Sequence, residues 1–184
     1  MRISRLFLAA SLISFSLLAQ PPMPRKAPEL TIVEPSGKQT LLSSYKGKVV
    51  LLAFIFTTCP HCQAETGVMN KLQAELGPKG FQPVAVAFND NAGMLVSGFV
   101  QNFHPTFPVG YAARLTVTDY LQLDDKDPSK GWNVPQMVLI DRKGMIVAQS
   151  GPKGSEELQE ENSLRKKISD LLAAPAGAKK KVGH

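Results

Sequence analysis

Two stretches of this chain are apolar almost without a break. Lys48 to Phe56 reads KVVLLAFIF and Phe81 to Phe88 reads FQPVAVAF. Alternation would mark strands with one wet face. Continuous β-prone runs of this length mark strands buried on both faces, at the centre of a sheet covered by helices. Between them the period changes. From Pro60 to Leu76, Val68, Leu72, Ala74 and Leu76 supply much of one apolar helix face, with Pro60 suited to the first turn and Gly77-Pro78 to the stop. Asn89-Asp90-Asn91 offers caps for a helix over 92–103, Phe107 to Val109 gives a short extended stretch, and a further helix is expected over 112–121. Gln136 to Ile140 and Met145 to Gln149 read as an antiparallel pair about the turn Asp141-Arg142-Lys143-Gly144. Ser155 is the expected cap of one last helix to Ala173, with Glu156 and Glu157 in its first turn and Arg165, Lys166 and Lys167 later, the signs that the helix dipole favours. Near the start, Leu30 to Val33 and Gln39 to Leu42 pair as a hairpin across Pro35 to Lys38. Phe99, Phe103, Phe107, Met137 and Met145 are expected in the core or packed on the sheet. The order β, α, β, α, then a hairpin and a helix, predicts an α/β sandwich around a central mixed sheet with an N-terminal β-hairpin extension.

The ends differ from this domain, which we place at residues 29–173. Met1, Arg2 and Arg5 open a short basic region, Leu6 to Leu18 is almost wholly apolar, and Ala19 precedes Gln20. That is the order of a secretory signal peptide over residues 1–19. The competing reading is an uncleaved anchor, for which the run is shorter than the roughly 20 apolar residues that span a bilayer. With no Cys near position 19 or 20, a lipid-anchored form is not supported. Residues 20–28 are a Pro-rich linker, Asp124 to Trp132 is a polar loop, and 174–184 is expected to be a disordered basic tail. The formal charge of the 184 residues is +6. Arg2 and Arg5 would leave with the leader, and Lys179, Lys180 and Lys181 concentrate charge in the tail. No aromatic residues interleave with these cations, which argues against nucleic acid as a partner, and three lysines without an apolar anchor allow only weak membrane contact. Nothing in the pattern fixes an oligomeric state. Export would take the domain to an envelope compartment.

The chain has two cysteines, Cys59 and Cys62. A structural disulfide usually closes a long loop, because that constrains the unfolded chain most. A ring closed over two intervening residues constrains almost nothing, so its value must be chemical. Cys59 stands between a buried strand and a helix start, where unsatisfied N–H groups and the dipole stabilise a thiolate. The thiolate is the nucleophile in disulfide exchange. Cys59 is therefore the expected attacking residue, and Cys62, one turn on, the resolving one. His61 lies between them and can further stabilise the Cys59 thiolate; as a bland alternative it is an exposed helix residue.

The segments GKVVLLAFIFTTCPHCQAE and VPQMVLIDRKGMIVAQSG resemble the thioredoxin superfamily, and within it the exported TlpA/ResA-like branch of the AhpC/TSA-type group, over residues 27 to 173. The resemblance implies a thioredoxin-like fold and a thiol–disulfide oxidoreductase that needs no cofactor beyond a redox-active Cys59–Cys62 disulfide. It implies that Pro135 is a cis-proline facing the cysteines, with Val134 offering backbone groups to an extended substrate; Pro60, between the cysteines, and Trp132, which would cover the site or merely fill a loop, are further substrate-binding candidates. Cis bonds are essentially a proline phenomenon, so the assignment is physically sound. Glu65 stands three residues after Cys62, where the family carries a Glu close to the cysteines, and would accept the Cys62 proton. Partners would be exported cysteine-containing proteins and a redox partner that resets the pair. The chain departs from the family in having Thr58 rather than Trp before the first cysteine, and its lone Trp132 lies near the Val-Pro segment. Pro-His between the cysteines is the dipeptide of DsbA-like oxidants, whereas TlpA/ResA-like proteins are commonly reductants, so both redox directions stay open. Two other readings compete. A thiol peroxidase would use Thr57-Thr58-Cys59 as a loose peroxidatic motif. An envelope copper-handling protein would hold a soft metal on Cys59, Cys62 and His61 or His104.

Overall fold

A computed structural model describes residues 21–122 and 132–174 of the chain. The leader read in 1–19, residues 124–131 of the polar loop and the tail from 175 onward lie outside the described residues. Among the described residues eight strands form one sheet: β1 (Arg25–Lys26), β2 (Thr31–Val33), β3 (Gln39–Leu41), β4 (Val49–Ile55), β5 (Phe81–Ala87), β6 (Val109–Tyr111), β7 (Gln136–Ile140) and β8 (Met145–Gln149). Their spatial order is β1-β8-β7-β4-β5-β6-β2-β3. The central three, β4, β5 and β6, are parallel, while β7 and β2 join them antiparallel, so the sheet is mixed. The helices are α1 (Pro60–Leu76), α2 (Ala92–Phe103), α3 (Arg114–Leu121), α4 (Glu156–Gln159) and α5 (Glu161–Ala173). This is the thioredoxin-like α/β arrangement with its hairpin extension, β2–β3, on one edge. Among the described residues no helix is long and apolar enough to cross a membrane.

Strand β4 shows why the apolar runs are continuous. Val49, Leu51, Ala53 and Ile55 enter one core with Met69 and Leu72 of α1, Val96 and Phe99 of α2, and Leu164 and Ile168 of α5. Val50, Leu52 and Phe54 enter a second core with Val117, Tyr120 and Leu121 of α3 and with Leu30 and Ile32. Alternate side chains of one strand thus feed opposite layers, and both layers are dry. The hairpin closes over the β6 edge through Gly110, where a Cβ would stand 2.6 Å from the Val33 carbonyl oxygen and 2.6 Å from Ile32 Cγ2. Only a residue without a side chain lets β2 approach that closely.

Five expectations are corrected. The single last helix is two: the backbone is extended at Glu160, whose carboxylate accepts hydrogen bonds from the Asn162 and Ser163 amides and so caps α5. Ser155 is the N-cap of α4 alone, with extended backbone and no side-chain cap hydrogen bond. The helix expected from Ala112 starts at Arg114, since the Ala112 amide is spent on the Ala87 carbonyl at the end of β5. The α1 face turns on Met69 rather than Ala74, which is exposed, because the sheet lies against the Cys62–Glu65–Thr66–Met69–Leu72–Leu76 stripe. The segment read as a linker also contributes β1, paired to Met145 and Ile146, with Arg25 donating to Gln149 Oε1 at 2.6 Å and to the Tyr120 carbonyl at 3.0 Å.

Candidate functional site

At the carboxyl end of β4 the chain leaves the sheet at Phe56 and re-enters regular structure at Pro60. The turn between is held by the Cys59 amide on the Phe56 carbonyl (3.1 Å), the Thr57 amide on Asn89 Oδ1 (2.9 Å) and Gln63 Nε2 on the Thr57 carbonyl (3.0 Å). The Thr57 hydroxyl also turns to Asn89. This fixes Cys59 as the N-cap of α1, with extended backbone and Pro60 at the first helical position. A thiol there meets the unsatisfied N–H end of the helix.

The two cysteines are both free and differ in exposure. Cys59 is half-buried, and its Sγ lies 3.6 Å from the Val134 carbonyl oxygen, to which it donates. Cys62 is 1% exposed, packed into the first core. Burial pushes its thiol well above the ordinary value, opposed by a backbone hydrogen bond at Phe56 and reinforced by the neighbouring Cys59. One sulfur faces solvent and the other waits behind it.

Across from them the β7 strand begins with a cis Val134–Pro135 peptide bond, as the family resemblance implied. A groove of about 620 Å³ runs between α1 and this segment, lined by Cys59, His61, Glu65, Trp132, Val134 and Pro135 together with Ala64, Val68, Asn133, Lys153 and Gln159. Of the residues expected to carry disulfide exchange, Pro60 is exposed beside the groove and Cys62 lies beneath it; Cys59, His61, Glu65, Trp132, Val134 and Pro135 line it. His61 is exposed. Trp132 is half-buried, its ring 5.8 Å from that of Phe88, which in turn packs on Phe56 at 4.7 Å; it both fills the second core and walls the groove. His104 is elsewhere, at the C-cap of α2 with its carbonyl bonded by Asn70 Nδ2. Among the described residues no group of three or more His, Cys, Asp or Glu side chains is placed to hold a metal ion.

Glu65 is buried on α1 and its Oε1 has no hydrogen-bond partner. Burial first, and then the Glu161 carboxylate, push its carboxyl up to about 7. Glu161 is itself held by Lys71 at 2.7 Å and by Arg165, which also pairs with Glu75. The sign of the stability effect follows. Glu65 keeps its proton in the folded state to about pH 7, whereas the unfolded chain loses it near 4.5. Folded stability therefore falls as pH rises through that window, and the full cost is present above it. A Glu65→Gln variant lacks this titration, so wild type is expected to lose on the order of 3 kcal/mol relative to it between pH 4.5 and pH 8. Urea unfolding of both proteins across that range checks this; a stability difference that is flat with pH would show that Glu65 ionises normally.

Sequence reasoning missed Asn133, Lys153 and Gln159. Gln159 Nε2 donates to the Pro135 carbonyl at 3.2 Å, and Asn133 donates through its amide to the Pro152 carbonyl at 3.0 Å. Asn133, adjoining Val134, was within reach of a local argument. Lys153 and Gln159 carried no signal, because only the folded chain brings 151–159 beside the cis-proline.

The sequence profile of the Redoxin family matches residues 24–168. A thiol–disulfide oxidoreductase ResA of Bacillus thuringiensis subsp. konkukian is 29% identical over 142 residues, which are 74% of this chain and 74% of that protein. The thioredoxin-like protein YneN of Bacillus subtilis is 32% identical over 127 residues, 66% of this chain and 67% of that one. A crystal structure from Chlorobium tepidum, described as a candidate thiol:disulfide interchange protein DsbE, superposes with a TM-score of 0.68 at 27% identity, covering 82% of this chain and 97% of that chain.

Proposed function

Because this chain belongs to the Redoxin family, as a TlpA/ResA-like member of the thioredoxin superfamily, and is a thiol–disulfide oxidoreductase, we propose that Cys59 and Cys62 are its working pair and exported cysteine-containing proteins its substrates. The observation that carries this reading is the placement of Cys59 Sγ at the N-cap of α1, 3.6 Å from the Val134 carbonyl, with Cys62 buried behind it.

Cys59, as thiolate, attacks one sulfur of a substrate disulfide. The substrate S–S bond breaks, its far sulfur leaves as a thiolate and takes a proton, and Cys59 is left in a mixed disulfide. Above about pH 7, where Glu65 has given up its own proton, its carboxylate takes the Cys62 proton, and Cys62 attacks Cys59 Sγ. The second substrate sulfur leaves. Two electrons have then moved from the pair to the substrate, which is now a dithiol. Run backwards, an oxidised pair takes two electrons from a substrate dithiol. The backbone groups of Val134, before the cis Pro135, stand beside Cys59 and offer partners to an extended substrate, His61 and Pro60 shape the near side, and Trp132 closes the far wall. The leader in residues 1–19 supports an envelope location, where substrate disulfides persist.

The test is stoichiometric exchange by the full chain. Reduced protein mixed with excess peptide disulfide is expected to cleave one disulfide per chain and lose two protein thiols. Thiols that survive while the peptide stays intact would overturn the reading.

A further inference from the structure

The groove beside Cys59 carries an uneven charge. Of the ionisable groups that line it, Glu65 is buried in its floor with a carboxyl that holds its proton to about pH 7, His61 is exposed, and Lys153 is exposed at its mouth. Among the described residues Lys153 makes no ion pair or side-chain hydrogen bond. Of the two acids in the first turn of α4, Glu157 is taken up by Lys167 at 2.9 Å, and Glu156 is exposed to solvent outside the groove lining. Among the described residues that line the groove, Lys153 is thus the one lysine or arginine, and its ammonium stands at the mouth.

It is also held in register with the reactive sulfur. Residues 151–154 form a tight turn closed by the Gly154 amide on the Gly151 carbonyl (2.8 Å), with Gly154 at φ 93°. That turn is stapled to the segment before the cis-proline. Asn133 Nδ2 donates to the Lys153 carbonyl itself (2.7 Å), the Asn133 amide to the Pro152 carbonyl (3.0 Å), and Gln136 Nε2 to the Gly151 carbonyl (3.1 Å). Lys153 is therefore anchored one residue from Val134, whose carbonyl lies against Cys59 Sγ. An extended peptide rises about 3.3 Å per residue. With its cysteine at Cys59, residues one or two positions away fall within the sweep of a lysine side chain.

From this geometry we infer that Lys153 is a specificity-determining residue, which makes the groove prefer cysteines flanked by Asp or Glu over cysteines flanked by Lys or Arg. The inference rests on the exchange reading above and names a substrate class for the same site.

Two disulfide-linked reporter peptides, identical except for Glu or Lys on both sides of the cysteine, test it. Each rate with the full chain is divided by the rate of the same peptide with β-mercaptoethanol, which removes the effect of the flanking charge on the peptide sulfur itself. Wild type is expected to favour the Glu-flanked peptide by about two- to fivefold, the range of an exposed ion pair. The preference should vanish in about 1 M salt, where screening acts within roughly 3 Å. Lys153→Glu should invert it. Equal normalised rates in wild type, or a ratio unchanged in Lys153→Glu, would overturn the preference while leaving exchange intact. If neither peptide exchanges, the exchange reading itself falls and takes the preference with it.

Discussion

A Cys62→Ser chain is expected to attack a disulfide once and then stall. Cys59 still stands at the N-cap of α1, half-exposed and facing the groove, so the first step is untouched. The resolving sulfur is gone, and the substrate should remain attached to Cys59 as a stable mixed disulfide. Intact-mass analysis should show one peptide per chain, and multiple-turnover exchange should fall to the rate without protein. The converse variant, Cys59→Ser, should form no adduct. The remaining thiol, Cys62, is 1% exposed, and burial raises it so far that little thiolate is present to attack. The asymmetry between the two variants is the point of the experiment. An adduct on Cys62 in Cys59→Ser, formed as fast as on Cys59 in Cys62→Ser, would mean that the roles assigned to the two sulfurs are wrong.

The largest effect on stability is expected at Phe54. Its side chain is fully buried in the second core, where the ring meets Phe88 edge-on at 6.4 Å between centroids and Tyr120 at 5.4 Å. Phe54 sits in the central strand, paired with Val86 on one side and Gln136 on the other, so neither neighbour can move in without breaking the sheet. Phe54→Ala should therefore cost about 3–5 kcal/mol, the sum of lost transfer energy and an uncollapsed cavity. The loss also reaches the site, since Phe88 supports both Phe56 and Trp132. Guanidinium unfolding checks it through a lower midpoint with an unchanged slope. A cost below about 1 kcal/mol would mean that the core refills, which the edge-to-face cluster argues against.

How much of this was written in the chain differs from element to element. Helices at Pro60–Leu76 and Ala92–Phe103 and strands at Gln136–Ile140 and Met145–Gln149 begin and end where the sequence predicts. In each case the signal is local: a Pro at the first turn, a Gly-Pro stop, a four-residue turn. The break at Glu160 was not legible, because 155–173 reads as one helix by composition. The choice between Ser155 and Glu160 as cap depends on where α5 must lie to bury Leu164 and Ile168 against β4. Strand β1 was missed for the same kind of reason, since two residues in a Pro-rich run become a strand only when β8 is there to pair with them.

At the site the division is similar. Cys59, Pro60, His61, Cys62 and Glu65 belong to one turn and one helix, so their spacing already states who can meet whom, and Val134 and Pro135 followed from the resemblance. What the sequence by itself determined is the pair of sulfurs, the two buried strands at the centre of the sheet, and the helix whose first turn holds the pair. These are short-range facts, set by periodicity and by which residues start and stop a helix. Only the tertiary structure decided that Cys62 is sealed while Cys59 is open, that the Glu65 carboxyl is driven toward neutrality by burial and by Glu161, and that Lys153 and Gln159 stand beside the cis-proline. Burial, field and proximity across distant segments are properties of the packed chain, and no local pattern encodes them.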